Sequence, residues 1–497
     1  MDEPAELARI INQLMASGPV EVFEDGEPLA ELSGMNFDVR REGKHTLVHF
    51  WSDERNLVRR VLRAAAPRDG QLVLEVQRFG RSKPGKLELV VVERQRPESR
   101  LSRERFRARF RRLLAEAFPD DDLESLTVVP DLEHSFSGSY ARGVLKRGGR
   151  RWAVMAVSGA EDPATVDAIL TFGLVWLDYT RQRAERTAVA GLRLFVPEGA
   201  SGVTAHRLQA VLPLAGIELY EVDQPMKRTR PVDVRDAGNL LTKLTPRREV
   251  EQTLAAAEAI VNRIRALHRE AIDAVVPPGT REVALRFRGL EFARWHNGQV
   301  HYGLPESRCL LSDSHWPKLM ELVKGLANHR NPKTQDGNHP LFRAQGERWL
   351  EAMLLGDATR LDAHLDPAHL YSQVPAFSAG DRGVLDLLGV TRDGRLTVVE
   401  LKVSEDLHLV LQAVDYWLRV RWHLREGDFA RYGYFTGREL QHKAPRLYLV
   451  APGLRFHSAT EIILRYLIDE IEITRIGLNE NWRKGLQVVF RRERGEP

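Results

Sequence analysis

Residues 142–158 read RGVLKRGGRRWAVMAVS, and residues 382–402 read RGVLDLLGVTRDGRLTVVELK. Both begin Arg-Gly-Val-Leu, turn at a Gly-Arg and return as a β-rich run. A helical stretch with Asp-Tyr follows each, LDYTRQR at 177–183 and VDYWLRVR at 414–421. Next comes a short apolar strand running into proline, LRLFVPEG at 192–199 and LYLVAPG at 447–453. An amphipathic helix and an alternating strand close the series, RLQAVLPLAGIELYEV at 207–222 and ILRYLIDEIEITRI at 463–476. Chance explains any one of these matches, but not their shared order. A repeat of this length obliges both copies to form the same supersecondary unit, so it constrains the fold more than any single motif.

A weaker correspondence precedes each copy. Gly34, Phe37 and Gly43 match Gly289, Phe292 and Gly298 at one constant offset. Helix-period segments come before them, at 5–15 and 248–275, and after them, at 54–65 and 315–326. The reading is an internally duplicated α/β chain of 497 residues, a length suited to several domains. The expected order is a small α+β domain at 1–98, an α/β core at 99–225 and a linker at 226–249. A second small α+β domain at 250–335 repeats the first, and a second α/β core occupies 336–497. The join from Gln224 to Arg248, with its prolines and basic residues, is the reason for placing a linker there.

Composition removes several classes of function. The single cysteine, Cys309, excludes an internal disulfide and a multi-cysteine zinc site. The N-terminus MDEPAELARI has no signal-peptide pattern, and the longest apolar run, 168–177, is too short to span a bilayer. A cytoplasmic protein with no membrane partner is expected. The net charge of +4 does not by itself demand nucleic acid. Arginine is the default cation of this chain, so a lysine in an awkward place stands out; only lysine offers a compact charge with a movable pKa.

Lys402 is such a lysine. Asp393-Gly394 between two apolar runs signals a hairpin. A three-residue loop, Arg392-Asp393-Gly394, puts Gly394 in the left-handed position and pairs Thr391 with Arg395. Counting outward, Asp386 falls directly opposite Glu400, and period-two alternation brings Lys402 to the same face. Opposed carboxylates repel unless a cation lies between them. An all-oxygen pair suits Mg2+ or Mn2+ rather than zinc, with Asp386 and Glu400 as the metal ligands. A hard cation, its water and a nearby lysine make a phosphodiester-hydrolysis site. Glu-Leu-Lys alone also fits an exposed strand face. Asp386 within the apolar run VLDLL does not, because a lone carboxylate there is costly to bury.

These residues resemble the signature of the PD-(D/E)XK nuclease superfamily, an Asp on one hairpin strand followed by Glu-x-Lys on the next. Its RecB-like branch adds Gln-x-x-x-Tyr on the following helix, matched by Gln412 and Tyr416, which share one helix face. Singly, these two read as a surface amide and a half-buried aromatic. The branch also uses a glutamate on the preceding helix, for which Glu351 is the candidate and Glu347 the second choice. The likeness is nearest to the catalytic domain of archaeal and actinobacterial mismatch endonucleases. It covers about 340–475 and departs from the motif at Leu385, where the family name has proline. It implies a restriction-endonuclease-like core and a metal-dependent endonuclease acting on DNA. Asp386, Glu400, Lys402, Glu351, Gln412 and Tyr416 would then be the catalytic set.

The first copy lacks this chemistry. Aligning the Gly-Arg turns puts Met155-Ala156-Val157 over Glu400-Leu401-Lys402, and aligning the shared RGVL puts Lys146 over Asp386. A silent core of this kind would bind nucleic acid or support its partner copy. Residues 94–112 carry many arginines with Phe106, Phe110, Leu113 and Leu114 at helix spacing, so Arg103, Arg107 and Arg111 are candidate phosphate contacts. Arg382, just before the hairpin, is another, or a solvated turn residue. One set of ligands per chain implies that cutting both strands of a duplex needs a homodimer. The alternative function is a nucleic-acid-binding or scaffold protein that retains the fold without catalysis. Gly80 to Lys86 approximates a phosphate-binding loop, but residues 87–92 continue as a strand, which favours a Pro-Gly hairpin turn. His329 and His339 flank a loop and give only a weak zinc pattern.

Overall fold

The computed structural model describes the chain except for residues 1–3, 18–19, 26, 33–34, 43–44, 52–55, 66, 68–69, 78–83, 92–99, 132–134, 185–186, 225, 236–241, 248, 305–307, 335, 338, 379–383 and 497. Helices and strands are mixed in several sheets, and the chain divides into two compact units. The first comprises residues 1–96, 247–356 and 483–485, and the second residues 97–246, 357–482 and 486–497. Among the described residues no helix is long and apolar enough to cross a membrane.

The first unit holds two antiparallel sheets. One has seven strands and is packed by the helix Pro4–Ser17, whose Leu7, Ile10, Ile11 and Leu14 are buried. The other has five strands under the helices Val250–Arg265 and Trp316–His329. The strands Gln71–Gln77 and Gly85–Val91 pair antiparallel, which excludes a strand–loop–helix phosphate cradle between them. The segment 54–65, expected as a helix, is instead the strand Asn56–Ala64. Its register shifts between Val61 and Arg63, so buried positions break the alternation there. A bulge of this kind imitates helical spacing in the sequence. The matched phenylalanines also occupy different places. Phe37 lies on an edge strand, whereas Phe292 lies on Leu290–His296, a strand paired on both sides.

The second unit contains two sheets, of six and seven strands, with the same order of connections. In the first, Asp122–Thr127, Tyr140–Arg147 and Arg150–Val157 are antiparallel. Ala188–Pro197 and Ile217–Val222 follow in parallel, and Thr229–Pro231 closes the edge antiparallel. In the second, Leu365–Ser378, Val384–Thr391 and Leu396–Leu401 are antiparallel. Arg446–Pro452 and Ile473–Leu478 are parallel, and Val488–Glu493 is the antiparallel edge. Central strands bordered by a parallel neighbour are largely buried, with charged exceptions such as Arg193 and Glu400. The helices Ile169–Gln182 and Leu409–Arg425 follow the two hairpins. Both sheets and both helices feed a single apolar core that includes Met155, Leu174, Leu194, Val398, Val414, Trp417 and Leu449.

Residues 226–249, expected as a linker, carry two short strands. Thr229–Pro231 is an edge strand of the first sheet, where a proline lacking its N–H is tolerated. Thr242–Leu244 pairs with Leu365–Ser378 and so belongs to the second sheet. The segment's basic residues hid an apolar anchor, Leu244, which is buried in the common core.

Candidate functional site

The hairpin has the geometry its loop residues dictate. Leu387 pairs with Val399, Leu388 with Val398 and Val390 with Leu396. Gly394 has φ +91°, its N–H donates to Thr391 O at 2.9 Å, and Thr391 N–H donates to Arg395 O at 2.8 Å. Continued one step beyond the last paired residues, this register sets Asp386 opposite Glu400. Asp386 Oδ2 takes the place of a ladder acceptor and receives the Leu401 N–H at 2.9 Å. Lys402 N–H has turned to the other neighbour and donates to Val450 O at 2.9 Å.

Glu400 is 1% exposed and Lys402 is 7% exposed. The Lys402 ammonium lies 3.7 Å from Glu400 Oε1 and 3.7 Å from Asp406 Oδ2. Asp406 was not among the expected site residues. Its Oδ1 accepts the His408 N–H at 2.7 Å, an Asx-type turn just before the helix Leu409–Arg425. An acidic residue in the turn before a helix is the sequence signal that finds it. That helix brings Gln412 and Tyr416 together, with Gln412 Nε2 3.3 Å from Tyr416 Oη. Burial pushes the Tyr416 hydroxyl well above its ordinary pKa, and the charges of Glu400 and Asp386 push it further. Tyr416 is therefore a protonated hydroxyl at neutral pH, in the electrostatic field of both carboxylates. His408 is held below its ordinary value by burial, against the pull of Asp406 and with Arg207, His457 and Lys402 adding to the effect.

No protein-family model matches this chain, and no curated protein matches it.

Glu351 belongs to the first unit, on Gly346–Gly356, where Arg286 Nη1 lies 3.3 Å from Oε1 and Arg348 Nη1 lies 3.0 Å from Oε2. Glu347 is one turn earlier on the same helix. Arg382 lies outside the described residues. On Arg100–Ala117, Phe106, Phe110, Leu113 and Leu114 are buried as their spacing requires. Arg111 is exposed, whereas Arg107 is 2.8 Å from Glu104 and Arg103 packs half-buried against Gly138. Among the described residues no group of three or more His, Cys, Asp or Glu is arranged to hold a metal.

The first sheet has the matching hairpin without the matching residues. Leu192 and Leu447 are matched positions on equivalent parallel strands, and their partners are Ala153 and Val398. Continuing along each strand puts Met155 at the place of Glu400 and Val157 at that of Lys402, as the Gly-Arg alignment requires. Met155 pairs with Arg142, so Arg142 occupies the place of Asp386, and Lys146 does not. The shared RGVL misleads because the second hairpin is longer between that motif and its turn. Register is set from the turn, which here is the two-residue Gly148-Gly149 between paired Arg147 and Arg150. Arg142 is buried, lies 4.8 Å from the Phe136 ring and 5.8 Å from the Trp176 ring, and donates to Val129 O at 2.7 Å. An arginine packed against an aromatic pair stands at the place where the second hairpin keeps its carboxylate.

Proposed function

We propose that this protein is a metal-dependent nuclease. Its active core lies in the second half, and a duplicated, silent core lies in the first. The observation that carries this reading is the Asp386–Glu400 pair, opposed by register on two otherwise mostly apolar hairpin strands, with the Lys402 ammonium 3.7 Å from Glu400. A buried strand tolerates such a group only where the charges are mutually satisfied or used. The PD-(D/E)XK resemblance supports the same assignment and makes DNA the favoured substrate.

The donor set fits Mg2+ or Mn2+, because two carboxylates are what a hard octahedral cation takes from a protein when water and substrate phosphate complete its shell. Asp386 and Glu400 would hold it. Bound there, the cation would lower the pKa of a coordinated water and offset charge on the phosphate. The chain's own residues supply the rest. Asp386 is fixed by the Leu401 N–H, so its remaining oxygen has a set direction. Lys402 is kept beside Glu400 by Asp406 on its other side. There its ammonium orients a nucleophilic water and neutralises charge developing on the phosphoryl oxygens. Tyr416 and Gln412 offer neutral hydrogen-bond groups to the same space, and the raised Tyr416 pKa keeps its proton in place.

The test is incubation with supercoiled plasmid, linear duplex, single-stranded DNA and RNA, in Mg2+ or Mn2+ against chelator. Metal-dependent cleavage that vanishes in Asp386→Ala is the expected result. A monomer with one site nicks first, so open circles precede linear plasmid. Cleavage that persists undiminished in Asp386→Ala would leave the alternative, a binding or scaffold protein that keeps the fold for its shape.

A further inference from the structure

Polar contacts between the two sheets' helices come in two matching sets. Asp178 lies on Ile169–Gln182, and Asp415 at the corresponding Asp-Tyr of Leu409–Arg425; both are buried. Each is held from the opposite core. Arg465, on Thr460–Arg465, places Nη2 3.1 Å from both oxygens of Asp178, with Tyr466 Oη 3.5 Å from Oδ1. In return, His206 and Arg207, on Gly202–Leu208, hold Asp415. His206 Nδ1 lies 2.7 Å from Oδ1, and Arg207 Nε and Nη2 are each 3.3 Å from Oδ2. The backbone repeats the exchange. Leu212 N–H donates to Tyr466 O at 2.8 Å and Ile468 N–H to Ala210 O at 2.9 Å, flanking the Val211–Leu467 bridge. Each core gives what it receives, as the halves of a two-fold dimer do.

The two sets differ in what they hold. The helix of Asp178 carries Val175 where the other has Gln412. Asp415 stands three residues after Gln412 and one before Tyr416. A carboxylate fixed there fixes the helix's rotation about its own axis, and with it the direction of both side chains. The grip is strong: burial alone would raise the Asp415 carboxyl, but Arg207, His206 and Arg419 outweigh it and hold it at about 2. Arg419 also lies 5.7 Å from the Tyr416 ring, which ties the same network to that hydroxyl.

We propose that His206 and Arg207 of the first core are positioning residues for the site of the second. They hold Asp415, and through it they set Gln412 and Tyr416 against the Asp386–Glu400 pair. The core without carboxylates is thus a partner subunit carried in the same chain. The catalytic half of this inference rests on the nuclease reading; the holding of the helix does not.

The experiment compares the full chain with Arg207→Ala, Arg207→Lys and the reciprocal control Asp178→Asn. Amide hydrogen exchange over 409–425 is measured beside kcat and KM for plasmid nicking in Mg2+. Arg207→Ala is expected to speed exchange in 409–425 and to lower kcat at least tenfold with KM little changed, and Arg207→Lys to restore part of both. Asp178→Asn is expected to speed exchange in 169–182 while leaving kcat within twofold of the parent. Unchanged exchange at 409–425 in Arg207→Ala overturns the proposal whatever the plasmid shows. Faster exchange with unchanged kcat, or equal loss of kcat in Asp178→Asn, overturns the positioning role. A parent chain that cleaves no substrate sinks the nuclease reading and the positioning role with it, while exchange still decides whether the first core holds the helix.

Discussion

The two hairpins of the second unit share a register and a face, but they spend that face differently. Tyr140–Arg147 and Arg150–Val157 present Arg142, Met155 and Val157 where Val384–Thr391 and Leu396–Leu401 present Asp386, Glu400 and Lys402. In the first, a methionine and a valine seal the core, and the arginine is buried against the Phe136–Trp176 pair. In the second, two carboxylates and an ammonium occupy equivalent places. Packing needs no carboxylate there, since the first hairpin does without one. On the nuclease reading, the carboxylates of the second hairpin serve chemistry.

The largest effect is expected on catalysis. Asp386→Ala and Glu400→Ala each remove several kcal/mol of transition-state stabilisation, so nicking should fall by about a thousandfold or more. Lys402→Arg should also fail, because a planar fork does not replace a compact ammonium. Plasmid time courses read all three. In chelator, thermal melts of the Asp386 and Glu400 variants should be unchanged or raised, since the pair then repels; a drop of several degrees would mark a structural ion pair instead.

The reverse graft comes next. Arg142→Asp, Met155→Glu and Val157→Lys together copy the second site into the first. They should yield no second activity and should cost about 3–5 kcal/mol in urea unfolding, as charges placed in a sealed apolar face do. A graft that folds with parental stability would show that the first hairpin is open and that its silence lies only in three residues.

A smaller effect concerns acid. Asp415 is held at about 2 by Arg207, His206 and Arg419, below its ordinary value. A carboxyl depressed on folding contributes stability above about pH 4 and loses it as pH falls toward 2. The contribution is about 2 kcal/mol. Asp415→Asn should therefore flatten the fall in stability between about pH 4 and pH 2, measured by urea melts across that range. An unchanged acid limb would place the loss in other carboxylates.

The smallest effect is on salt dependence. Arg111 is exposed, whereas Arg107 is engaged by Glu104. Arg111→Ala should reduce the slope of log affinity for duplex DNA against log salt by up to about 0.9, and Arg107→Ala by less. Equal slopes for both variants and the parent would make the helix a solvated surface.

Much of the candidate site was legible because local rules fixed it. Asp393-Gly394 set the turn, the turn set the register, and the register opposed Asp386 to Glu400. Where the sequence misled, a local regularity was broken. The bulge at Val61 imitated helical spacing, and the RGVL identity was counted from the end of the hairpin that does not set register. The ion pairs of Glu351 with Arg286 and Arg348 were not legible either, since spacing along one helix reveals only the second. The grip on Asp415 was invisible for a different reason. Its partner His206 is 209 residues away, and nothing in the repeated Asp-Tyr says which arginine or histidine will meet it.

The shared apolar core also sets a schedule for synthesis. The helix Ile169–Gln182 carries Leu170, Leu174 and Leu177 into a core completed only by residues as late as Ile473. Ribosomes add about 5–20 residues per second, so the later half of that core arrives roughly 15–60 s after this helix. A nascent chain halted after residue 246 would have its own Leu192 and Leu194 against the helix, but Asp178 would lack Arg465 and Tyr466, and Val211 would lack Leu467, until the second sheet folds.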